Sequence, residues 1–253
     1  MEEKIRTILQ RDYDYLVKEF GEDRVVGVFL YGSQNYGTDT DESDVDAKGI
    51  VIPSFSQLVA KEDITYTHEF EDGNDNSLDV KDIRLMFEQF AKCNINFVEI
   101  LFTQYSIINP MYKDLWDLIR EKREDIAKYD LKRTLYATAG TIDNKCKLLN
   151  NPDTIYKGYS EVLRLYQFMK NLVSGWSYEG SLVSAEHELY RDIRLKPVGL
   201  KPEEMLAEAE KIRKLSKTLP EKVITNEEKR SEILHYIFEA PEMFVRRYLV
   251  KII

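Results

Sequence analysis

At 253 residues with 43% hydrophobic side chains, the chain is long enough for one large domain or two modest ones and too apolar for intrinsic disorder. A net charge of −9 sets the surface as a whole against nucleic acid, so an RNA or DNA partner is disfavoured unless a local basic groove provides for it. The two cysteines, Cys93 and Cys146, are too few for a disulfide framework; with no signal-peptide pattern and no apolar run of bilayer length, a cytoplasmic protein without a membrane partner is expected.

Helical spacing of Ile5, Ile8, Leu9, Tyr13, Leu16, Val17 and Phe20 predicts a helix over residues 2–20 that covers a sheet and stops at Gly21. The apolar run Val25 to Tyr31 reads as a buried strand over about 24–31 and ends abruptly at Gly32-Ser33. Gly32 can adopt backbone angles closed to other residues and lets a ligand approach the main chain, while Ser33 and the amides after it offer donors to a phosphate. A second strand is expected over 44–52, ended by Pro53, and alternation along it puts Asp44 and Asp46 on one face with Val45 in the core. Two unpaired acids so close repel, and a divalent cation resolves the repulsion. A calcium loop through Asp39, Asp41 and Asp44 is the wrong reading, because its sixth position is Asp44 rather than glycine and no acid closes it at the twelfth.

Further on, the pattern predicts a short helix over 55–60, a strand over 64–70, a turn at 72–75 and an extended run at 78–80, together a hairpin. With Leu78 and Val80 turned to the core, Asp79 faces the other way and joins Asp44 and Asp46 if the strands are neighbours; Glu71, Asp75 and Asp82 compete for that place. Asp82 fits better as the cap of the next helix, which starts with Ile83, Met86, Phe87 and Phe90. Asn96 and Glu99 have capping-box spacing, predicting a helix through Phe102, and capping is the expected role of Asn94 and Glu99. Beyond Ile108 the signals are helical, over 113–129, 131–149, 156–173, 202–218 and 227–238. His68, expected on a strand, and His187 and His235, expected on helices, share no metal-ligand spacing, no Ser, Cys and His set marks a covalent nucleophile, and Trp116 and Trp176 read as packing residues.

A hydrophobic strand, Gly32-Ser33, about ten residues and then Asp44-Val45-Asp46 resembles the signature of the DNA polymerase beta nucleotidyltransferase superfamily. The spacing of Ser33-Gln34-Asn35-Tyr36-Gly37, the end Glu42-Ser43-Asp44-Val45-Asp46 and the run Lys48 to Pro53 resemble, more narrowly, a family of bacterial and phage nucleotidyltransferases predicted from sequence. The segment Ala91 to Phe102 is similar to that family too, with Ile95 where proline is common there, and Lys157 to Leu165 resembles the segment that follows its catalytic domain. The resemblance implies an α+β fold: a polymerase-beta-like domain over 1–107, built as a short mixed sheet flanked by helices, then a helical domain over 108–253 that closes over a nucleotide. It implies transfer of a nucleotidyl group from an NTP such as ATP to an acceptor hydroxyl on a protein, a small molecule or an RNA end, with release of pyrophosphate. Asp44 and Asp46 would bridge two Mg²⁺ ions, or Mn²⁺ in their place, with Asp79 as third ligand and proton acceptor. Gly32, Ser33, Lys157 and Arg164 would bind the nucleotide's phosphates, set against the plainer expectation that both cations are solvated surface residues. The competing class is a nucleotide-binding regulator, antitoxin-like, that keeps the fold without turnover.

Overall fold

The computed structural model describes residues 2–70, 76–183, 185–196 and 199–252, so the turn expected at 72–75 and the acids Glu71 and Asp75 lie outside the described residues. The fold is α+β. Five strands, β1 (Val25–Tyr31), β2 (Asp46–Val51), β3 (Thr65–Glu69), β4 (Ser77–Asp82) and β5 (Ser106–Ile108), form one mixed sheet in the order β3-β4-β2-β1-β5. Only β2 and β4 run parallel; the other pairings are antiparallel. The hairpin of β3 and β4 matches the sequence expectation, whereas β5 was not foreseen: three residues are too short for a periodicity to register.

Helix α1 (Glu2–Phe20) lays Ile5, Ile8, Leu9 and Leu16 on one face of the sheet, against Val28, Leu30, Ala47, Val51, Leu78 and Val80. The opposite face, with Val26, Phe29 and Ile50, packs on the helices that follow. A strand covered on both sides must be apolar throughout, which is why β1 reads as an unbroken hydrophobic run. Between β1 and β2 lies the single turn α2 (Ser33–Tyr36), and α3 (Phe55–Ala60) begins with a capping box at Ser54. Strand β2 begins at Asp46 rather than Asp44. The Asp44 carbonyl accepts from the Gln34 side chain and the Val45 amide donates to Asn76 Oδ1, so neither backbone group is left for the ladder.

Helix α4 (Ile83–Ala91) is capped by Asp82 as expected. The next helix, α5 (Ile95–Val98), is capped by Asn94, not Asn96, which displaces the expected capping box and leaves Glu99 without a role in it. The segment expected as one helix over 113–129 divides at Lys122, whose φ of −93° and ψ of 9° leave helical values, into α6 (Lys113–Glu121) and α7 (Arg123–Lys128). Helices α8 (Leu131–Leu148) and α9 (Ile155–Val173) follow, then α10 (Tyr178–Leu182), unforeseen, α11 (His187–Arg194), where His187 lies on a helix as expected though no bounds were foreseen, and α12 (Pro202–Ser216). Helix α9 is the hub of this half and packs on α8, α10, α11 and α12. The last helix, α13 (Glu227–Ile252), runs through Pro241 instead of ending near Phe238 and returns to pack on α4. Buried Phe244 offsets the hydrogen bond that Pro241 removes, with its ring beside Tyr112, Trp116 and Phe87. The boundary expected at 107/108 falls inside β5. Trp116 is fully buried, while Trp176, read as a packing residue, is half exposed. Among the described residues no helix is long and apolar enough to cross a membrane.

Candidate active-site cleft

Where β1 ends, Gly32 takes φ of 100° and ψ of −153°, angles that a side chain would strain, and the chain turns into α2. The turn is held from below by Glu99. Its Oε2 accepts from the Gly32 amide at 3.1 Å and from Asn35 Nδ2 at 3.3 Å, and Asn35 is fixed in turn by Leu30 and Thr103. Burial raises the Glu99 carboxyl above the usual carboxylate range, and the Tyr36 hydroxyl, the Gly32 amide, Asn35 and the Arg164 charge work against that rise. Glu99 therefore shapes the Gly-Ser turn. Sequence reading gave it a capping role because nothing in the spacing reveals a contact across 67 positions.

A cleft of about 270 Å³ opens above this turn, lined by Gly32, Ser33, Asp44 and Asp46 on one side and by Lys145, Lys157, Arg164 and Arg194 on the other. The first group comes from the sheet and its loops, the second from α8, α9 and α11. Asp46 Oδ1 accepts from the Ser77 hydroxyl at 2.7 Å and from the Ser77 amide at 3.2 Å, so this oxygen is oriented while the described residues make no hydrogen bond to Oδ2. Burial raises the Asp46 carboxyl and the neighbouring Asp44 adds to the rise; Ser77 and the positive charge of Lys157 oppose it. The two acids thus feel each other, as expected, and Lys157 lies close enough to act on one of them.

On the basic wall, Lys157 stands in the first turn of α9 and Arg164 two turns on. Arg164 is not a surface residue: it is 3% exposed, donates to Glu161 at 2.8 Å and stacks its guanidinium 3.8 Å from the Tyr36 ring centre. Its Nε and Nη1 are buried without a hydrogen-bond partner among the described residues, donors that the cleft's own residues leave unmet. Burial opposes ionisation of Glu161, but Arg164, Lys145 and Arg194 outweigh it and hold the carboxyl at about 2. Arg194 also donates to the Thr38 carbonyl at 2.8 Å, tying α11 to the loop that carries Asp44. Neither Lys145 nor Lys157 makes an ion pair or hydrogen bond with a described residue. The sequence reading missed Lys145 and Arg194: nothing in the pattern of α11 shows which face meets the cleft, and Lys145 lies in the last turn of α8 beside Lys147, where basic residues are ordinary.

Asp79 faces away from Leu78 and Val80, as alternation required, and shares the sheet face of Asp46. Its two oxygens are nevertheless engaged by Lys48 at 3.0 Å and Lys81 at 3.4 Å, and it does not line the cleft. Among the described residues no group of three or more His, Cys, Asp or Glu side chains is arranged to hold a metal ion. Asp44 and Asp46 remain as a donor set: two hard carboxylates beside a phosphate-sized cleft suit Mg²⁺, which takes one or two protein carboxylates and completes its shell with water and phosphate.

No family model matches the chain, and no curated protein matches it either. Among solved structures, a nucleotidyltransferase-like protein from Exiguobacterium sibiricum 255-15 overlays with a TM-score of 0.33 and 12% identity, over 100% of this chain and 79% of that one. So loose an overlay adds nothing to the chemistry of the cleft.

Proposed function

We propose that the chain is a nucleotidyltransferase that moves a nucleoside monophosphate from an NTP to an acceptor hydroxyl. The observation that carries this reading is a single cleft in which a Gly-Ser turn and an acid pair face four cations, one of them a buried arginine with unmet donors. A triphosphate carries more charge than one metal neutralises, and the basic wall meets the remainder.

Asp44 and Asp46 would hold Mg²⁺, which supplies charge neutralisation and polarisation at the α-phosphate. Gly32 lets the phosphate chain approach the backbone, and Glu99 keeps that turn in place through its bonds to Gly32 and Asn35. Lys145 and Lys157 reach the β- and γ-phosphates, with Arg164 and Arg194 behind them. As the acceptor oxygen bonds to the α-phosphorus, the bond to the bridging oxygen breaks, pyrophosphate leaves toward the basic wall and the hydroxyl proton passes to water. Glu161 keeps Arg164 in register but offers the nucleotide no attraction of its own.

The test is incubation with each labelled NTP, Mg²⁺ and a cell lysate, with label followed into protein, RNA and small molecules. Transfer that is lost in Asp44→Asn supports the reading; transfer at the wild-type rate in that variant ends it. One observation favours the regulator class instead, the pairing of Asp79 with two lysines, and for a regulator the same experiment shows nucleotide binding with no label transferred.

A further inference from the structure

The place of a third metal-binding carboxylate is already filled by a salt bridge. Lys48 and Asp79 stand opposite each other where β2 and β4 run parallel, and each oxygen of Asp79 has its own ammonium, Lys48 on Oδ2 and Lys81 on Oδ1. Lys48 is 2% exposed, and its ammonium lies 3.8 Å from the ring centre of Tyr31 and 3.9 Å from that of Phe97. Those two aromatic faces hold the cation where it is and supply no anion; among the described residues Asp79 is its ion-pair partner, with Glu99 acting on it from farther off. A metal ion on Asp79 would have to displace two ammonium groups and leave Lys48 buried without its counterion, a strongly unfavourable exchange.

Lys48 also follows Asp46 by two positions on β2 and therefore shares its face. Its charge lies on the sheet face that Asp46 and Asp79 share, so a cation that bridged the acid pair and Asp79 would be repelled. Resting on the nucleotidyltransferase reading, we infer that this chain binds one divalent cation per site with its nucleotide, on Asp44 and Asp46, and that Lys48 is a positioning residue that keeps Asp79 out of the metal's shell. A two-metal site of the kind implied by the sequence resemblance is not built here.

The experiment counts ions. Mn²⁺ bound by the full chain is measured by electron paramagnetic resonance at saturating α,β-methylene ATP, for the wild type, Asp79→Asn and Asp44→Asn. The expected result is one Mn²⁺ per chain in the wild type and in Asp79→Asn, with apparent affinities within about twofold, and at least about tenfold weaker binding in Asp44→Asn. Since Asp79→Asn orphans Lys48 and can cost the fold, the double variant Lys48→Met/Asp79→Leu replaces the pair with apolar groups and is expected to keep the single ion. Two ions on the wild type overturn the inference, as does loss of Mn²⁺ from the folded double variant. If the wild type binds neither Mn²⁺ nor the analogue, the proposed function fails and this inference falls with it.

Discussion

At the scale of single residues, the basic wall divides into cations that are spoken for and cations that are not. Arg164 and Arg194 have partners in the protein, Glu161 and Thr38, whereas Lys145 and Lys157 have none among the described residues. Lys157→Ala is therefore expected to weaken NTP binding by roughly 1.5–3 kcal/mol, the worth of a charge-assisted hydrogen bond, and nucleoside binding far less. Lys145→Ala should show the same pattern. Calorimetric titration with both ligands decides it, and equal losses for the two ligands in either variant would return that lysine to the surface. Glu161 makes a different prediction. Its carboxyl is held at about 2, below its ordinary value, so the stability it contributes is present above roughly pH 4.5 and is lost as pH falls toward 2. Glu161→Gln should cost about 3–5 kcal/mol near neutrality, since it orphans a buried guanidinium. Urea titrations over this pH range should show the gap between wild type and variant closing on acidification; a gap that stays constant would mean the pair is not ionic.

At the scale of elements, α11 governs the cleft from outside it. Gly37 sits at φ of 70°, and a Cβ there would meet His187 Cδ2 at 3.0 Å, so this glycine admits both the left-handed turn and the close approach of α11. Gly37→Ala is expected to destabilise the fold by about 1–2 kcal/mol from the backbone alone and to weaken NTP binding as well, because a displaced α11 carries Arg194 with it. Denaturant midpoints and nucleotide titrations on one variant measure both; unchanged nucleotide affinity in a destabilised variant would separate α11 from the cleft. Elements with long periodic patterns, α1, α8 and α9, were legible in the sequence nearly to the residue, as was the sheet up to β4. The short pieces were not. Strand β5 and α10 hold too few residues for a period to show, and α11 is amphipathic but flanked by mixed polar stretches. The site followed the same rule. Gly32, Ser33, Asp44 and Asp46 are adjacent in sequence and were readable together, whereas Glu99, Lys145 and Arg194 reach the cleft by tertiary folding, and the pairing of Asp79 depends on how β2 and β4 register.

For the whole molecule, the net charge is −9, and the cleft gathers four cations beside four carboxylates, Asp44, Asp46, Glu99 and Glu161. Generic RNA should bind weakly at physiological salt, because a cleft whose cations are matched by carboxylates, set in an acidic surface, releases few counterions. Filter binding across a salt series checks this, and tight binding with a steep salt slope would promote an RNA acceptor. The return of α13 to α4 carries a further consequence. Phe29 and Phe87 belong to the sheet-bearing half, but the ring of Phe244 that completes their packing comes from the last helix of the fold, where Arg247 also bonds to the Met111 carbonyl and to Asp114. During synthesis Phe87 and Trp116 are made well before the ring that packs beside them. Helix α4 covers the sheet, but the apolar sides of α4 and α6 stay open until residues 227–252 have been made, so a chaperone that shields apolar surface in the meantime has a defined place to sit.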